Sequence, residues 1–508
     1  MLIPAELPAA QRASERAEDR WAALEDWGRA PAMSPLEAVM WRGDRHPEFS
    51  SSGIVLEMFD RAPDWDRFRA GHEWATRLVP RLRQSVLDPA LPLGPPVWRP
   101  DPWFDLDYHL RRVRLPAPGG MRELLDLAQA IALRPLDRAR PLWVGTLVEG
   151  LKDGRAAYLV HAHHCLMDGA GLIQLLSALH SPRREPTPDK PHPPTPDKPH
   201  ATPKAAAPPA PTSTGRWELA LSYAAASGRG LPTAGARLTG AVARALTRPE
   251  DALDSARSLR RVLGATNGTA RSPLAAGARR RRWRFGTLEC SLEQLKAAGR
   301  AAGGTVNDAY VAAVLGGIRR YHEELGIELD RIPTAMPVSL RRSGDAPGGN
   351  RFTAAFFAGP AGVRDPAERI ALIGASVRAA RAEPALDLLG TIAPALEFLP
   401  APVLKAATAA IAPSAEVSAS NVAGIKHPVY AAGARVERIF VLGPLPNVGM
   451  LAVLFSHVGT CCIGISCDGQ IYEDTERLWR CMRQELDAVL AVAATRGQRF
   501  AAEGGVTP

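Results

Sequence analysis

Four side chains that can carry protons or bind a metal lie within eight positions of the chain. They are His161, His163, His164 and Asp168. The apolar run before them predicts a strand, and Asp168-Gly169-Ala170-Gly171 predicts a polar turn into a helix. An imidazole at a strand end, with one ring nitrogen held by a carboxylate or a carbonyl, can take a proton with the other nitrogen. The pattern indicates general-base chemistry, with His164 as the candidate base.

The residues alone leave other interpretations of this segment open. Asp168 is also a suitable N-cap for the following helix, and the histidines would then be hydrogen-bonded polar groups at a strand end. A metal-dependent hydrolase is a further alternative, but its H-x-H-x-D-H pattern places the acid two residues after the second histidine. Here Asp168 lies five residues after His163. Cys165, next to the candidate base, suggests a covalent mechanism as another alternative. If the strand alternation continues, however, its side chain points away from the side on which His164 lies.

The composition narrows the class of protein. Of 508 residues, 46% are hydrophobic and 23% are charged, as in ordinary globular proteins. The net charge of +9 favours anionic partners, but no groove-reading or base-stacking motif is recognisable, so we expect no nucleic acid partner. Six cysteines without a C-x-x-C pair fit reduced thiols in the cytoplasm. Without a secretory signal pattern or an apolar run of about 18 residues, any membrane contact would be peripheral.

The chain is divided by a segment rich in proline, alanine, threonine and lysine, which repeats Pro-Thr-Pro-Asp-Lys-Pro-His. Such a composition forms no packed core and predicts an extended linker. We therefore expect an N-terminal arm (1–32), an N-terminal lobe (33–180), the linker (181–215) and a C-terminal lobe (216–508). Strands and helices alternate in both lobes, which predicts an α/β or α+β class.

Periodicity and capping signals predict the elements of each lobe. In the N-terminal lobe we expect a helix start at Ser34-Pro35-Leu36-Glu37, strands at 53–59, 108–115, 142–149 and 156–164, helices at 65–78, 121–133 and 171–179, and mostly loop at 91–107. In the C-terminal lobe we expect helices at 217–248, 292–303, 305–325 and 475–494, and strands at 283–292, 332–338, 352–358, 436–442, 450–458 and 460–467.

The run His163 to Gly169 resembles the H-H-x-x-x-D-G signature of CoA-dependent acyltransferases, which include chloramphenicol acetyltransferase and the condensation domains of peptide synthetases. Further segments, in matching order, narrow the resemblance to the bacterial wax ester synthase/diacylglycerol acyltransferase family. They are Ser34-Pro35-Leu36-Glu37-Ala38, Phe104-Asp-Leu-Asp-Tyr-His109, Pro135-Leu-Asp-Arg-Ala-Arg-Pro-Leu-Trp143, Val306-Asn307-Asp308, Pro337-Val-Ser-Leu-Arg341, Gly349-Asn350-Arg351-Phe352 and Ser420-Asn421-Val422. The resemblance runs from about Met33 to about Leu490.

This resemblance implies two lobes of the chloramphenicol-acetyltransferase type, with mixed sheets flanked by helices and the active site between them. It implies acyl-CoA as co-substrate, no separate cofactor and no metal. The acyl group would go to diacylglycerol or to a long-chain fatty alcohol, at the inner membrane or on lipid inclusions. A condensation-type enzyme with a carrier-bound donor is the alternative, although the chain contains no carrier domain.

The resemblance also implies roles for single residues. His164 would be the general base, His163 a supporting residue, Asp168 a structural residue of the turn, and Gly169 the residue that permits a tight backbone. Asn307 is a candidate to stabilise the oxyanion, with an ordinary N-cap as its other interpretation. The remaining candidates would pack near the active site or line the interlobe cleft as substrate contacts: Trp143, Asp308, Arg341, Asn350 and Asn421.

Some segments depart from the family pattern or stay open. Ala309-Tyr310-Val311 is less aliphatic than usual, and Ala423-Gly424-Ile425 stands where Pro-Gly-Pro is common. These departures leave the preferred acyl chain and alcohol open. The basic run Arg279–Arg284 is interpreted either as an attractor of CoA phosphates or an anionic membrane, or as a solvated edge before a strand.

Overall fold

The structure is a computed structural model. It describes residues 24, 27–45, 50–91, 94–185, 215–223, 225, 269–275, 282–339, 350, 352–383, 415–445 and 448–494. The α-helices with assigned bounds are α1 (Pro35–Gly43), α2 (Trp65–Leu78), α3 (Leu106–His109), α4 (Met121–Ala132), α5 (Gly169–Leu179), α6 (Leu292–Ala301), α7 (Val306–Glu323), α8 (Pro366–Arg381) and α9 (Thr475–Leu490).

The strands are β1 (Ser52–Phe59), β2 (Gln84–Leu87), β3 (Val97–Pro100), β4 (Leu110–Arg114), β5 (Trp143–Glu149), β6 (Ala156–His163), β7 (Trp283–Ser291), β8 (Ile332–Ser339), β9 (Phe352–Gly359), β10 (Val417–Val422), β11 (Tyr430–Ala431), β12 (Ala434–Leu442), β13 (Met450–His457) and β14 (Thr460–Asp468). They form a sheet in the order β11-β12-β1-β6-β5-β4, a second in the order β7-β14-β13-β10-β8-β9, and the hairpin β2-β3. Parallel pairs (β4 with β5, β10 with β8 and β13) lie among antiparallel ones. The predicted fold of mixed sheets flanked by helices is therefore confirmed.

Two strands from the C-terminal half, β11 and β12, belong to the first sheet. β12 pairs with β1, where Ile54 lies opposite both Leu442 of β12 and His161 of β6. The predicted division at residue 216 is therefore wrong for these two strands, because β1 pairs with a segment more than 370 residues further along the chain. The chain from the second half crosses over and completes the sheet that carries the histidines.

The lobes also share a hydrophobic cluster. Ile54 and Leu124 of the first lobe pack in one cluster with Trp283, Phe285 and Cys462 of the second sheet. Burying a large apolar side chain stabilises a fold by about 1.5–3 kcal/mol. The two lobes are therefore held together by a continuous core and not only by the chain that connects them.

Several described elements differ from the sequence predictions. The hairpin β2-β3 reaches into the region expected to be mostly loop, and α3 lies where the end of that loop and the start of a strand were expected. α8, β10 and β11 were not predicted. Between its two terminal valines, β10 consists of small and polar residues, so its parallel pairing with β8 and β13 decides the conformation of this stretch. In α8 the signal was present, because Asp365 caps the helix and Pro366 is its first residue.

Several predictions fall wholly or partly outside the described residues. Most of the arm, residues 186–214 of the linker and most of the predicted helix 217–248 lie there, although residues 217–223 are helical. The predicted linker begins too early, because Ser181 pairs with Tyr430 and Arg184 binds Asp60 at 2.6 Å. Among the described helices, none combines the length and the hydropathy needed to cross a membrane.

Candidate active site

His164 lies at the point where the chain leaves the first sheet. β6 stays paired with β1 up to His163, opposite Ser52. The backbone N–H of His164 donates to the carbonyl of Ser51 at 2.8 Å, and a 3-10 turn then runs from His164 to Leu166. The strand therefore ends one residue before the predicted end, and the half-buried His164 lies in the turn that follows it.

His163 is used to build this turn. Its Nδ1 accepts a hydrogen bond from the backbone N–H of Cys165 at 3.0 Å. Burial, together with the positive charge of Arg138, lowers the pKa of His163 to about 3. Because Nδ1 is an acceptor, the ring proton is on Nε2, which lies 3.8 Å from Oδ2 of Asp44. His163 is thus a neutral imidazole whose Nδ1 lone pair is used in the hydrogen bond from the backbone N–H of Cys165.

Asp168 begins the helix after the turn. Its Oδ1 accepts from the backbone N–H of Gly171 at 2.8 Å, which makes it the N-cap of α5. This bond satisfies one of the helix's unpaired amides and fixes the exit direction of the chain. Through this hydrogen bond, Asp168 stabilises the junction between α5 and the turn that carries His164.

Gly169 allows the turn to approach the second lobe. A Cβ atom at this position would lie 2.9 Å from Cγ2 of Val422 on β10. Gly169 does not have a positive φ, so a left-handed backbone is not the reason for a glycine at this position. Its lack of a side chain serves a close approach between the histidine motif and the Ser420-Asn421-Val422 motif.

Asn350 brings a third motif to His164. Its Oδ1 lies 2.9 Å from Nδ1 of His164, and its Nδ2 donates to the backbone carbonyl of His164 at 2.9 Å. The Asn350 backbone N–H also donates to Oε1 of Glu37 at 3.1 Å, and Nδ2 lies 3.4 Å from the same oxygen. Asn350, expected to line the cleft, is buried against the candidate base.

Glu37 was not among the predicted site residues. Its other oxygen, Oε2, accepts from the backbone N–H of Ser34 at 2.9 Å and completes the capping box of α1. The Ser-x-x-Glu spacing signalled only this local bond. The contact between Glu37 and Asn350 spans 313 positions of the chain, and no feature of either segment signalled it.

Trp143 packs inside the first lobe beside the strand that carries the histidines. In the sheet, Trp143 lies opposite Ala162 of β6, and its Nε1 donates to the carbonyl of Leu82 at 2.9 Å. Its ring stacks on His109 at 4.8 Å. These contacts describe a packing residue near the site, with its polar atom already bonded to backbone.

Asn307 and Asp308, which are adjacent at the start of α7, have different contacts. Thr305 is the N-cap, and Asp308 accepts from its backbone N–H at 2.8 Å and from its hydroxyl at 2.9 Å. The alternative that Asn307 is the N-cap is therefore wrong, and the buried Asp308 completes the capping box of Thr305. Asn307 Nδ2 donates to Sδ of Met336 at 2.9 Å.

The other predicted substrate contacts are less constrained. Asn421 is exposed on β10, opposite Leu454 of β13. Arg341 lies outside the described residues, as do Arg279 to Arg281 of the basic run. Among the residues that the structure describes, no three His, Cys, Asp or Glu side chains are arranged to hold a metal ion.

Comparison with known proteins places this site in a family. The model of the wax ester synthase/diacylglycerol acyltransferase catalytic domain matches residues 12–310, and the model of its C-terminal domain matches residues 348–489. The chain belongs to the wax ester synthase/diacylglycerol acyltransferase family. It is therefore an acyltransferase, and the family suggested by the ordered motifs is confirmed.

Relatives in this family match over nearly the whole chain. A Mycobacterium tuberculosis H37Rv protein with the provisional name diacylglycerol O-acyltransferase is 39% identical over 472 residues, which cover 92% of this chain and 94% of the relative. Among solved structures, the wax ester synthase/diacylglycerol acyltransferase of Marinobacter aquaeolei VT8 has a TM-score of 0.59 at 20% identity, covering 91% of this chain and 100% of that one. The first condensation domain of the calcium-dependent antibiotic synthetase also reaches 0.59, at 14% identity, with 91% and 96% covered. These two likenesses describe the fold.

In this wax ester synthase/diacylglycerol acyltransferase family member, the cysteine beside the candidate base is fully buried in the core of the first lobe. Burial raises the pKa of the Cys165 thiol well above its ordinary value, and the nearby charge of Glu37 raises it further. A nucleophilic cysteine needs thiolate character and access. The covalent alternative therefore has neither in this fold.

Proposed function

We propose that this acyltransferase moves a long-chain fatty acyl group from acyl-CoA to the hydroxyl of diacylglycerol or of a long-chain fatty alcohol, with His164 as general base. The observation that carries the proposal is the fixed imidazole of His164 at the end of β6, held through Nδ1 by Asn350. The names of the relatives and of the Marinobacter structure support the substrate classes.

In this proposal the acceptor is itself the nucleophile. His164 removes the proton of the acceptor hydroxyl as the oxygen attacks the thioester carbonyl. The tetrahedral intermediate then collapses, the carbon–sulfur bond breaks, and the imidazolium returns the proton to the CoA sulfur. The acyl group leaves as an ester, so no acyl-enzyme and no metal are needed. An oxyanion donor is also required, and Asn307 is our candidate for it.

We further propose that the enzyme works in the cytoplasm in peripheral contact with a membrane or a lipid inclusion, and exposed apolar side chains support this contact. Trp217 and Leu221, one helical turn apart, are 65% and 67% exposed. Aromatic and aliphatic side chains of this kind bind at the boundary between lipid headgroups and acyl chains. Flotation with phospholipid vesicles tests the contact: a Trp217→Ser, Leu221→Ser variant should stay in the aqueous fraction while the wild type floats.

The substrate assignment is tested with labelled palmitoyl-CoA offered to hexadecanol and to diacylglycerol in parallel. We expect labelled wax ester, triacylglycerol or both, and release of free CoA in equal amount. A third arm offers palmitate on a phosphopantetheine carrier protein. Product only from that arm would replace our donor assignment with the condensation-type alternative.

The role of His164 is tested in the same assay with two variants. His164→Ala should lower kcat by at least about a hundredfold, the low end of general-base contributions. Cys165→Ala, which changes the neighbouring buried residue, should retain wild-type kcat. A His164→Ala enzyme with nearly full activity, or a folded but inactive Cys165→Ala enzyme, would refute the direct-transfer mechanism.

A further inference from the structure

The side-chain amide of Asn350 can be oriented from its partners alone. Its Nδ2 faces two groups that only accept hydrogen bonds, the carboxylate oxygen of Glu37 and the backbone carbonyl of His164. The reversed amide would place its oxygen against both acceptors. The amide nitrogen must therefore be on this side, and Oδ1 must face His164.

This orientation determines the ring proton of His164. Oδ1 of Asn350 has no hydrogen to give, so at 2.9 Å it can only accept from Nδ1–H. A neutral imidazole carries one ring proton, and with that proton on Nδ1 the lone pair is on Nε2. The neighbouring His163 has the opposite tautomer, because its Nδ1 accepts from Cys165. Two adjacent histidines are thus set in different tautomers by different partners.

The chain of contacts continues to a charged group of α1. Oε1 of Glu37 accepts from both nitrogens of Asn350, while Oε2 is held by the backbone N–H of Ser34. Hydrogen bonds to an ionised acceptor are stronger than neutral ones. The buried guanidinium of Arg81 lies close enough for the charge of Glu37 to act on it, opposing the fall in the pKa of Arg81 that burial causes.

We propose that Glu37 and Asn350 are positioning residues that hold His164 in the Nδ1–H tautomer and so make Nε2 the basic nitrogen. Asn350 lies two residues before β9 of the second lobe, whereas Glu37 and His164 belong to the first lobe. The base is therefore correctly set only when the two lobes meet at Asn350. This inference rests on the proposed function for its effect on turnover, but not for the tautomer itself.

Nuclear magnetic resonance of the 15N-histidine-labelled chain at pH 8 reads the tautomer without any substrate. The His164 signals are assigned by their loss in His164→Gln. We expect the Nδ1–H form in the wild type. Asn350→Leu, which removes this acceptor, should give a mixture with Nε2–H. An Nε2–H wild type, or an unchanged tautomer in Asn350→Leu, would overturn the proposal.

Kinetics provide the second readout. Asn350→Leu should lower kcat about a hundredfold with little change in the KM for acyl-CoA. Glu37→Gln keeps the shape but removes the charge, and should lower kcat about tenfold. The matched control is Glu123→Gln, since Glu123 forms the capping box of α4 with Gly120 at 2.9 Å, and it should leave kcat unchanged. Equal effects of the two glutamate changes would refute the role of Glu37.

The two proposals fail in distinguishable ways. A wild-type chain that carries the Nδ1–H tautomer but transfers no acyl group from CoA would refute the substrate assignment and leave the positioning role intact. An active chain with the other tautomer would do the reverse.

Discussion

Gly169 and Val422 touch across the two lobes, with the position of a Cβ on Gly169 only 2.9 Å from Cγ2 and 3.2 Å from Cγ1 of Val422. Gly169 ends the histidine motif, and Val422 ends β10. The turn that carries His164 is therefore packed directly on a strand of the second lobe. Together with the Asn350 contact, this gives the turn two separate attachments to that lobe.

Gly169→Ala should therefore destabilise the protein, although alanine is the better helix former at the first residue of α5. Forcing a methyl group into this contact costs about 1–3 kcal/mol in the free energy of unfolding. Urea denaturation measures the loss. The double variant Gly169→Ala, Val422→Ala should recover most of it, because Val422→Ala removes both atoms that the methyl meets. A double variant as unstable as the single one would show that this contact is not the cause.

His163 should be replaceable where His164 is not. His163→Asn keeps an acceptor for the backbone N–H of Cys165, so kcat should stay within about tenfold of wild type, a barrier change of about 1.4 kcal/mol. His163→Leu leaves that buried N–H unpaired and should lower the free energy of unfolding by about 1–3 kcal/mol. Steady-state kinetics and urea denaturation of both variants check this. Loss of turnover in a stable His163→Asn enzyme, as deep as in His164→Ala, would assign His163 to the chemistry.

The sequence predicted the elements that local signals determine. The bounds of α2 agree at both ends, because its apolar spacing is helical, and the structure shows that Asp64 caps its start. β1 and β6 agree to within one residue, because apolar runs next to turn signals are characteristic of buried strands. The strand–turn–helix around His164 followed from the same local rules.

The relationships that build the site could not be predicted in this way. Glu37 bonds to its own helix start and to Asn350, and only the first bond has a sequence signature. Gly169 was assigned to backbone conformation because its neighbour Val422, 253 positions away, is invisible in the sequence. For Asn307, the Thr-x-x-Asp spacing of Thr305 and Asp308 was the better cap signal and could have corrected the N-cap alternative.

Acid should destabilise the fold through its buried histidines. Burial lowers the pKa of His161 to about 4 and that of His163 to about 3, below the ordinary value of 6.5. Between pH 6.5 and the lowered pKa values, the unfolded chain binds more protons than the folded chain. The stability that these neutral histidines contribute is therefore fully present above pH 6.5 and falls as the pH decreases towards 4. Each such group contributes at most about 1.4 kcal/mol per pH unit.

Urea denaturation at pH 7 and pH 5 measures this effect. The wild type should lose stability between the two, and the His161→Phe, His163→Asn variant should lose clearly less, because neither replacement binds a proton in this range. His109, His322 and His457 also have pKa values lowered by burial and remain in both proteins. Equal losses in the two proteins would mean that His161 and His163 titrate normally in the fold.

Replacing Asp308 should mainly lower stability, whereas replacing the adjacent Asn307 should mainly lower turnover. Asp308→Ala removes two hydrogen bonds to Thr305 and should lower the free energy of unfolding by about 0.5–2 kcal/mol, the usual value of a helix cap. Asn307→Ala removes only a bond to a thioether, a weak acceptor, and should hardly change stability.

If Asn307 donates to the oxyanion, Asn307→Ala should lower kcat by about a hundredfold to a thousandfold. Asp308→Ala should retain turnover at temperatures where it stays folded. Kinetics and denaturation of both variants under the same conditions check this pattern. Full turnover in Asn307→Ala would remove Asn307 from the mechanism, and the oxyanion donor would then have to be sought among the other groups that face His164.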